Sequence, residues 1–369
     1  MTHDSQRLSV STDHRQWDIP PSWQPALEAA RAGGTLFLIG ESDSGKSTLA
    51  AVLANEALAA GRSVAVVDAD VGQSNVGPPA CVGLADVSRK FDSLSDLSAK
   101  AIDFVGACSP AQHLLQAAAS TAALVSSARQ GGAETIVVDT TGLVSGGVAR
   151  ALKGAKIRLV EPDTLIALQE EDEVEQLLAG YRSRSKPQVL RLRRSRAVKP
   201  RSREERAARR QRSFAGYFSE ARTVALSWDD APVENSAWTN GEPVPGHMRA
   251  YAEECVACEV FHMEHHPEGV FLIVNGRPDP NGLRDLGNSF QGRALVVEQA
   301  SLQNLLIGLL DEGGATCALA VLEEVDFRQR RMGLYTSLAD EGAVRGVRLG
   351  SIQLARDGTQ MGTVDLRGE

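Results

Sequence analysis

The chain has 369 residues, 43% of them hydrophobic, a net charge of −8 and five cysteines. That length and apolar content suffice for a substantial core and for two domains, which excludes a disordered tail and a small disulfide-stapled scaffold. No run of eighteen apolar residues occurs, and Met1 to Asp18 is polar without a signal-like apolar core or an acid-free, Arg-rich transit character, so a cytoplasmic protein with no membrane span is expected.

The charge is unevenly spread. Residues 182–212 carry twelve Arg and two Lys against two Glu, a local net charge of +12, so the remainder of the chain carries −20. An acidic body with one concentrated basic segment points to a local anion-binding element, although a solvated charged helix has the same composition. The cysteines Cys81, Cys108, Cys255, Cys258 and Cys317 are scattered, as small buried thiols in a reducing compartment would be. Cys255 and Cys258 precede His262, His265 and His266, but structural zinc sites space their ligand pairs more widely. These residues crowd into what reads as strand, so packing thiols and surface histidines are expected.

In chain order, Gln24 to Arg31 reads as a short helix, Thr35 to Ile39 as a buried strand and Ser47 to Ala60 as a helix closed by Gly61. Ser63 to Val67 is a second apolar strand, ending at Asp68-Ala69-Asp70. A helix near Ala111 to Gln130 leads to a third strand, Thr135 to Val138, ending at Asp139. Thr164 to Leu168, a helix from Glu171 to Ala179, Val189 to Leu192 and a basic helix to Phe218 continue the pattern. Wholly apolar strands alternating with helices predict an α/β fold: a parallel sheet with helices on both faces. From about Ala221 short strands take over (Thr223 to Ser227, Gly269 to Asn275, Ala294 to Glu298, Thr316 to Leu322, Val344 to Leu354), predicting a smaller β-rich C-terminal domain.

Between the first strand and its helix, Gly40-Glu41-Ser42-Asp43-Ser44-Gly45-Lys46-Ser47-Thr48 contains the full pattern G-x-x-x-x-G-K-[ST]. Its glycines let the backbone wrap a phosphate, its N–H groups face the anion, Lys46 suits the β- and γ-phosphate oxygens, and the Ser47 hydroxyl suits Mg²⁺ or Mn²⁺. A nucleoside triphosphate, ATP or GTP, is therefore the expected ligand. Two carboxylates at strand ends, Asp70 and Asp139, compete for the metal and base roles, because ligands bind beyond the carboxyl ends of parallel strands.

The loop, together with Asp70-Val71-Gly72-Gln73-Ser74 and Pro78-Pro79, resembles the polynucleotide 5′-hydroxyl kinases, which include RNA kinases of messenger-RNA cleavage, tRNA splicing and ribosomal-RNA processing and their archaeal and bacterial relatives. The match continues through Ser109-Pro110, Asp139-Thr140-Thr141-Gly142, Leu152-Lys153, Lys156-Ile157, Gly308-Leu309-Leu310-Asp311 and Glu324-Val325-Asp326-Phe327. The resemblance implies an α/β P-loop domain over 23–220, after a polar extension 1–22 and before a β-rich domain 221–369. It implies that Asp70 acts at the metal and activates the acceptor hydroxyl with Gln73 nearby, and that a mobile lid, about 182–212, brings Arg201 and Arg206 over the phosphates. Thr141 and Gly142 would adjoin the acceptor, and Arg191, Arg193, Arg194 and Arg196 would suit a nucleic-acid backbone. The acceptor would be a nucleic acid with a 5′-hydroxyl end, RNA favoured. Leu143 stands where the family carries Trp, so the resemblance supplies no base-stacking aromatic there.

Three other readings compete. Partition-type ATPases use a second lysine early in the loop, where this chain has Glu41; a GTPase needs a guanine-reading Asn/Thr-Lys-x-Asp, which is missing. A nucleotide-dependent scaffold without kinase activity would keep the fold yet has no use for Lys46, Ser47, Asp70, Arg201 and Arg206 together.

Overall fold

The computed structural model describes residues 17–234 and 236–366, so residues 1–16 of the expected polar extension lie outside the described residues. Trp23 closes a short turn and is fully buried, its indole N–H donating to the Arg193 carbonyl at 2.8 Å. That bond ties the start of the fold to the basic segment.

The first sheet is built from β1 (Gly34–Ile39), β2 (Val64–Ala69), β3 (Cys81–Val87), β4 (Ala101–Phe104), β5 (Thr135–Thr140), β6 (Thr164–Leu168) and β7 (Gln188–Leu192), in the order β4-β3-β2-β5-β1-β6-β7. The five strands β2, β5, β1, β6 and β7 run parallel; β3 and β4 add an antiparallel edge that the apolar pattern did not announce. Helices α1 (Gln24–Ala32) and α2 (Lys46–Ala59) cover one face with a core that includes Leu36, Leu38, Leu49 and Leu53. Helices α3 (Leu114–Gln130) and α4 (Gly146–Val160) cover the other, around Phe37, Ile39, Val67 and Val138. Because β2, β5 and β6 are buried on both faces, their central residues are apolar; β2 and β5 then bring a buried aspartate, Asp68 and Asp139, to the carboxyl end. The helix expected over Glu171 to Ala179 is only α5 (Glu175–Leu178) with a 3₁₀ turn, and the basic helix is α6 (Arg203–Tyr217).

After α6 come β8 (Arg222–Ser227), β9 (Val233–Glu234), β10 (Glu242–Pro243), α7 (Gly246–Val256), β11 (Glu259–His266), β12 (Gly269–Asn275), α8 (Pro280–Ser289), β13 (Arg293–Glu298), α9 (Gln299–Leu302), β14 (Leu305–Leu310), β15 (Thr316–Asp326), β16 (Arg331–Thr336), β17 (Gly346–Leu354) and β18 (Gln360–Thr363). They form a seven-stranded sheet, β18-β17-β14-β15-β16-β8, with β9 beside β17, and a mixed four-stranded sheet, β10-β11-β12-β13, carrying α7 and α8. The C-terminal half is thus β-rich, with a small α/β layer that the strand pattern does not reveal. Cys255 sits on α7, not in a strand, and both Cys255 and Cys258 pack against the core beneath that helix. His262 and His266 turn instead toward the buried Glu264 carboxylate, at 2.5 and 3.7 Å.

A shared core joins the two halves: Cys81 and Phe104 of the first sheet meet Leu306, Leu319, Ile352 and Leu354 of the second, with Phe214 and Phe218 wedged among them. Among the described residues no helix is long and apolar enough to cross a membrane.

Candidate active site

The P-loop leaves β1 at Gly40 and enters α2 at Lys46, with Gly45 in the left-handed region at φ 96°. A side chain at Gly45 would strain that turn. Lys46 is buried; its ammonium donates to the Glu41 carbonyl at 2.6 Å. Burial pushes the Lys46 ammonium down, and the charges of Asp139, Asp70 and Asp43 oppose that push. The Ser47 hydroxyl donates to Asp139 Oδ2 at 2.5 Å. Asp139 is wholly buried, and burial raises its carboxyl while the Lys46 charge and the Ser47 bond work against it.

Asp70 closes β2 on the neighbouring strand end. Its Oδ1 accepts the backbone N–H groups of Gly72 and Gln73 at 3.1 and 3.2 Å, which folds residues 70–73 into a tight turn. Asp68 is buried beneath and accepts from the N–H groups of Asp70, Asn75 and Val76 at 3.0, 2.6 and 3.1 Å. Its carboxyl is pushed up to about 7 by burial, with the Asp139 and Asp70 charges adding to the shift. Asp68 therefore supports the loop, and Asp70 is only partly buried.

The basic segment folds over this end of the sheet. Ser202 caps α6 through a capping box with Glu205, and the helix begins above the P-loop. The Arg201 backbone N–H donates to Asp43 Oδ2 at 3.0 Å, and the Arg206 guanidinium pairs with the same carboxylate. Burial would raise the Asp43 carboxyl, but the Arg201 N–H and Arg206 hold it below the ordinary range. Gln73 Nε2 reaches the Arg206 carbonyl at 3.4 Å, closing a ring from the Asp70 turn through the lid to the P-loop. Arg209, one turn further along, donates to Asn75 Oδ1 at 2.6 Å. No motif in the sequence singles it out.

The other basic residues have separate positions. Arg191 on β7 makes a two-point contact with Glu175 at 2.7 and 3.1 Å, and Arg194 is shared between Glu41 of the P-loop, at 3.0 Å, and Glu173. The Arg193 and Arg196 side chains are exposed. Thr141 and Gly142 lie against the P-loop so closely that a Cβ on Gly142 would stand 2.3 Å from the Ser42 nitrogen. The loop therefore requires glycine there.

Beneath the P-loop and the β5 end, α4 directs two buried lysines toward the strand ends. Lys153 donates to Thr140 Oγ1 at 2.6 Å and to the Thr141 carbonyl at 2.7 Å, and Lys156 to the Ala69 carbonyl at 3.3 Å. Burial pushes both ammoniums down, Lys153 well below its ordinary value with the Lys156 and Lys46 charges adding, and Lys156 to about 8 against the pull of Asp70 and Asp68. Among the described residues no three His, Cys, Asp or Glu side chains form a closed metal cage. The donor set of Ser47, Asp139 and Asp70 instead suits a hard cation that completes its shell with phosphate oxygens and water.

The family model described as the mRNA cleavage and polyadenylation factor CLP1 P-loop matches residues 40–220. The polyribonucleotide 5′-hydroxyl-kinase of Pyrococcus horikoshii is 30% identical over 340 residues, covering 92% of this chain and 91% of that protein. The protein of the same name from Methanocaldococcus jannaschii is 31% identical over 332 residues, covering 89% and 90%. The Clp1 polyribonucleotide 5′-hydroxyl-kinase of Xenopus tropicalis is 30% identical over 215 residues, 53% of this chain and 48% of that one. Among solved structures, Clp1p in its complex with Pcf11p superposes with a TM-score of 0.56 at 12% identity, over 89% of this chain and 77% of that one, which shows a shared fold.

Proposed function

Because the chain belongs to the polyribonucleotide 5′-hydroxyl-kinase family, we propose that it transfers the γ-phosphate of ATP or GTP to the 5′-hydroxyl of an RNA end. One observation carries the reading: Asp43, in the phosphate loop, accepts from both the Arg201 N–H and the Arg206 guanidinium, while the lid is tied through Gln73 to the turn that holds Asp70. These bonds tie the phosphate loop, α6 and the turn of the candidate base to one another.

Each residue's part follows from its position. The loop N–H groups and Lys46 hold the donor's phosphates against the positive end of α2. Ser47, Asp139 and Asp70 would hold a magnesium or manganese ion, which when bound neutralises phosphate charge. Asp70, partly buried beyond the end of β2, takes the proton from the acceptor 5′-hydroxyl. Arg206, paired with Asp43 of the phosphate loop, stabilises the charge spread over the oxygens of the transferring group, an effect worth roughly 10³–10⁵ in rate in related chemistry. A closed lid also excludes water, which would otherwise compete with the hydroxyl as acceptor. Acceptor nucleotides run past Thr141 and Gly142, with the exposed Arg193 and Arg196 available to the backbone.

Incubation with γ-labelled ATP or GTP and matched 5′-hydroxyl RNA and DNA oligonucleotides tests this. Label on RNA supports the reading, whereas label released only as free phosphate makes the protein an ATPase or GTPase.

A further inference from the structure

Lys153 and Lys156 lie outside the loop, the lid and the strand-end carboxylates, yet they are 1% and 0% exposed in a helix whose remaining buried positions are apolar. A lysine on a covering helix ordinarily runs its stem to the surface and keeps its charge in water. Burying an ammonium costs several kcal/mol before its partners are counted, and a leucine at either position would fill the space without that penalty. Among the described residues, neither ammonium has an acidic side chain as its hydrogen-bond partner. Both go to the carboxyl ends of strands.

The two lysines are three residues apart and so share one face of α4. Lys153 reaches β5: its three N–H donors meet Thr140 Oγ1 at 2.6 Å, the Thr141 carbonyl at 2.7 Å and Thr141 Oγ1 at 3.4 Å. Thr140 passes its own hydroxyl hydrogen to the Leu38 carbonyl at 2.6 Å, two residues before the phosphate loop begins. Lys153 thereby links the end of β5 to the end of β1 and fixes the turn into Thr141-Gly142. Lys156 reaches β2, where the Ala69 carbonyl, directly before Asp70, accepts at 3.3 Å. It also lies within electrostatic reach of Asp70 and Asp68.

We infer that Lys153 and Lys156 are positioning residues for the transfer reaction, Lys153 setting the Thr141-Gly142 turn against the P-loop on the acceptor side and Lys156 setting the strand end that presents Asp70. The inference rests on the kinase reading and gives these lysines roles that act through other residues, neither touching substrate.

The test compares Lys153→Met and Lys156→Met with the wild-type full-length chain in kcat, oligonucleotide KM, affinity for a fluorescent ATP analogue and melting temperature. Lys153→Met is expected to raise oligonucleotide KM by about tenfold or more while nucleotide affinity stays within about threefold. Lys156→Met is expected to lower kcat by about 10–100-fold with both affinities kept, and in single-turnover assays to add little to the loss caused by Asp70→Asn, because the two act as a unit. Lys→Gln at each site, which keeps one donor, should recover part of the loss. The inference is overturned if both Met variants leave all four quantities unchanged, if both lower nucleotide affinity and melting temperature together, or if the Lys156 and Asp70 losses multiply. Failure of the Met and Gln variants to fold would also overturn it, making the lysines determinants of the fold. A wild-type chain that never labels a 5′-hydroxyl end refutes the kinase reading itself and this inference with it; an active wild type with any of the contrary variant results refutes the lysine roles alone.

Discussion

The Ser47 hydroxyl donates to Asp139 across 2.5 Å, while Asp70, following the adjacent strand, spends one oxygen on its own turn. The two strand-end carboxylates therefore have different surroundings. Asp139 is fully buried and joined to the phosphate loop; Asp70 is only partly buried.

On the proposed base role of Asp70, the less buried of the two, Asp70→Asn should cost far more in kcat than Asp139→Asn. Asp139→Asn should act chiefly on the metal concentration needed for half-maximal rate. Steady-state kinetics with a magnesium titration measures both, and the reverse order of kcat losses would assign the base role to Asp139.

Much of this site is legible in the amino-acid sequence. The apolar runs of β1, β2 and β5 end abruptly at Gly40, Asp68 and Asp139, and a strand buried on both faces carries no charged residue before its end, so the strand ends stand out. The α4 lysines cannot be read this way, since helical spacing does not reveal which way a lysine stem turns. Nor can the pairing of Arg191 with Glu175 or of Arg194 with Glu41, whose partners are brought together by β1, β6 and β7 lying in that order in the sheet. The β3–β4 edge is hidden because Gly83 and Asp86 interrupt its apolar pattern, and Gly83 lies where the Val76 carbonyl passes too close for any side chain.

Different arginines should fail differently. Arg206→Ala, removing the guanidinium beside the P-loop, should lower kcat by about 10³-fold with little change in salt dependence. The double variant Arg193→Ala/Arg196→Ala should instead raise oligonucleotide KM and flatten the slope of log affinity against log salt, roughly in proportion to the number of phosphates no longer neutralised. Arg191→Ala and Arg194→Ala, whose guanidiniums are already paired with Glu175, Glu41 and Glu173, should move that slope less. Kinetics of each variant at several salt concentrations separate these outcomes; equal KM effects from all of them would reduce the segment to one undifferentiated basic patch.

Helix α6 is held at its far end by Phe214, which is buried where the two halves of the chain meet. Phe214→Ala should destabilise the protein by about 3–5 kcal/mol, through the apolar burial it removes and the cavity left behind, as measured by denaturant unfolding. It should also lower kcat at temperatures where the variant remains folded, because α6 then loses its anchor.

Asp43 is held below its ordinary value of 3.8 once it has met the Arg201 N–H and Arg206. Its sign is that of a depressed carboxyl: the stabilisation is fully present above pH about 4 and is lost as pH falls through the lowered folded value. The difference in melting temperature between wild type and Asp43→Asn should therefore be constant from pH 5 to 8 and narrow only in stronger acid. A gap that changes between pH 5 and 8 would mean that another group controls the lid contact.

One assay reads phosphate transfer to a 5′-hydroxyl directly: γ-labelled ATP or GTP with a 5′-hydroxyl RNA, the same RNA already 5′-phosphorylated, and the Lys46→Ala chain as control. Label is expected on the 5′-hydroxyl RNA alone, with none on the phosphorylated RNA and none from Lys46→Ala at an unchanged melting temperature. Label appearing only as inorganic phosphate, or equal transfer by Lys46→Ala, would contradict it.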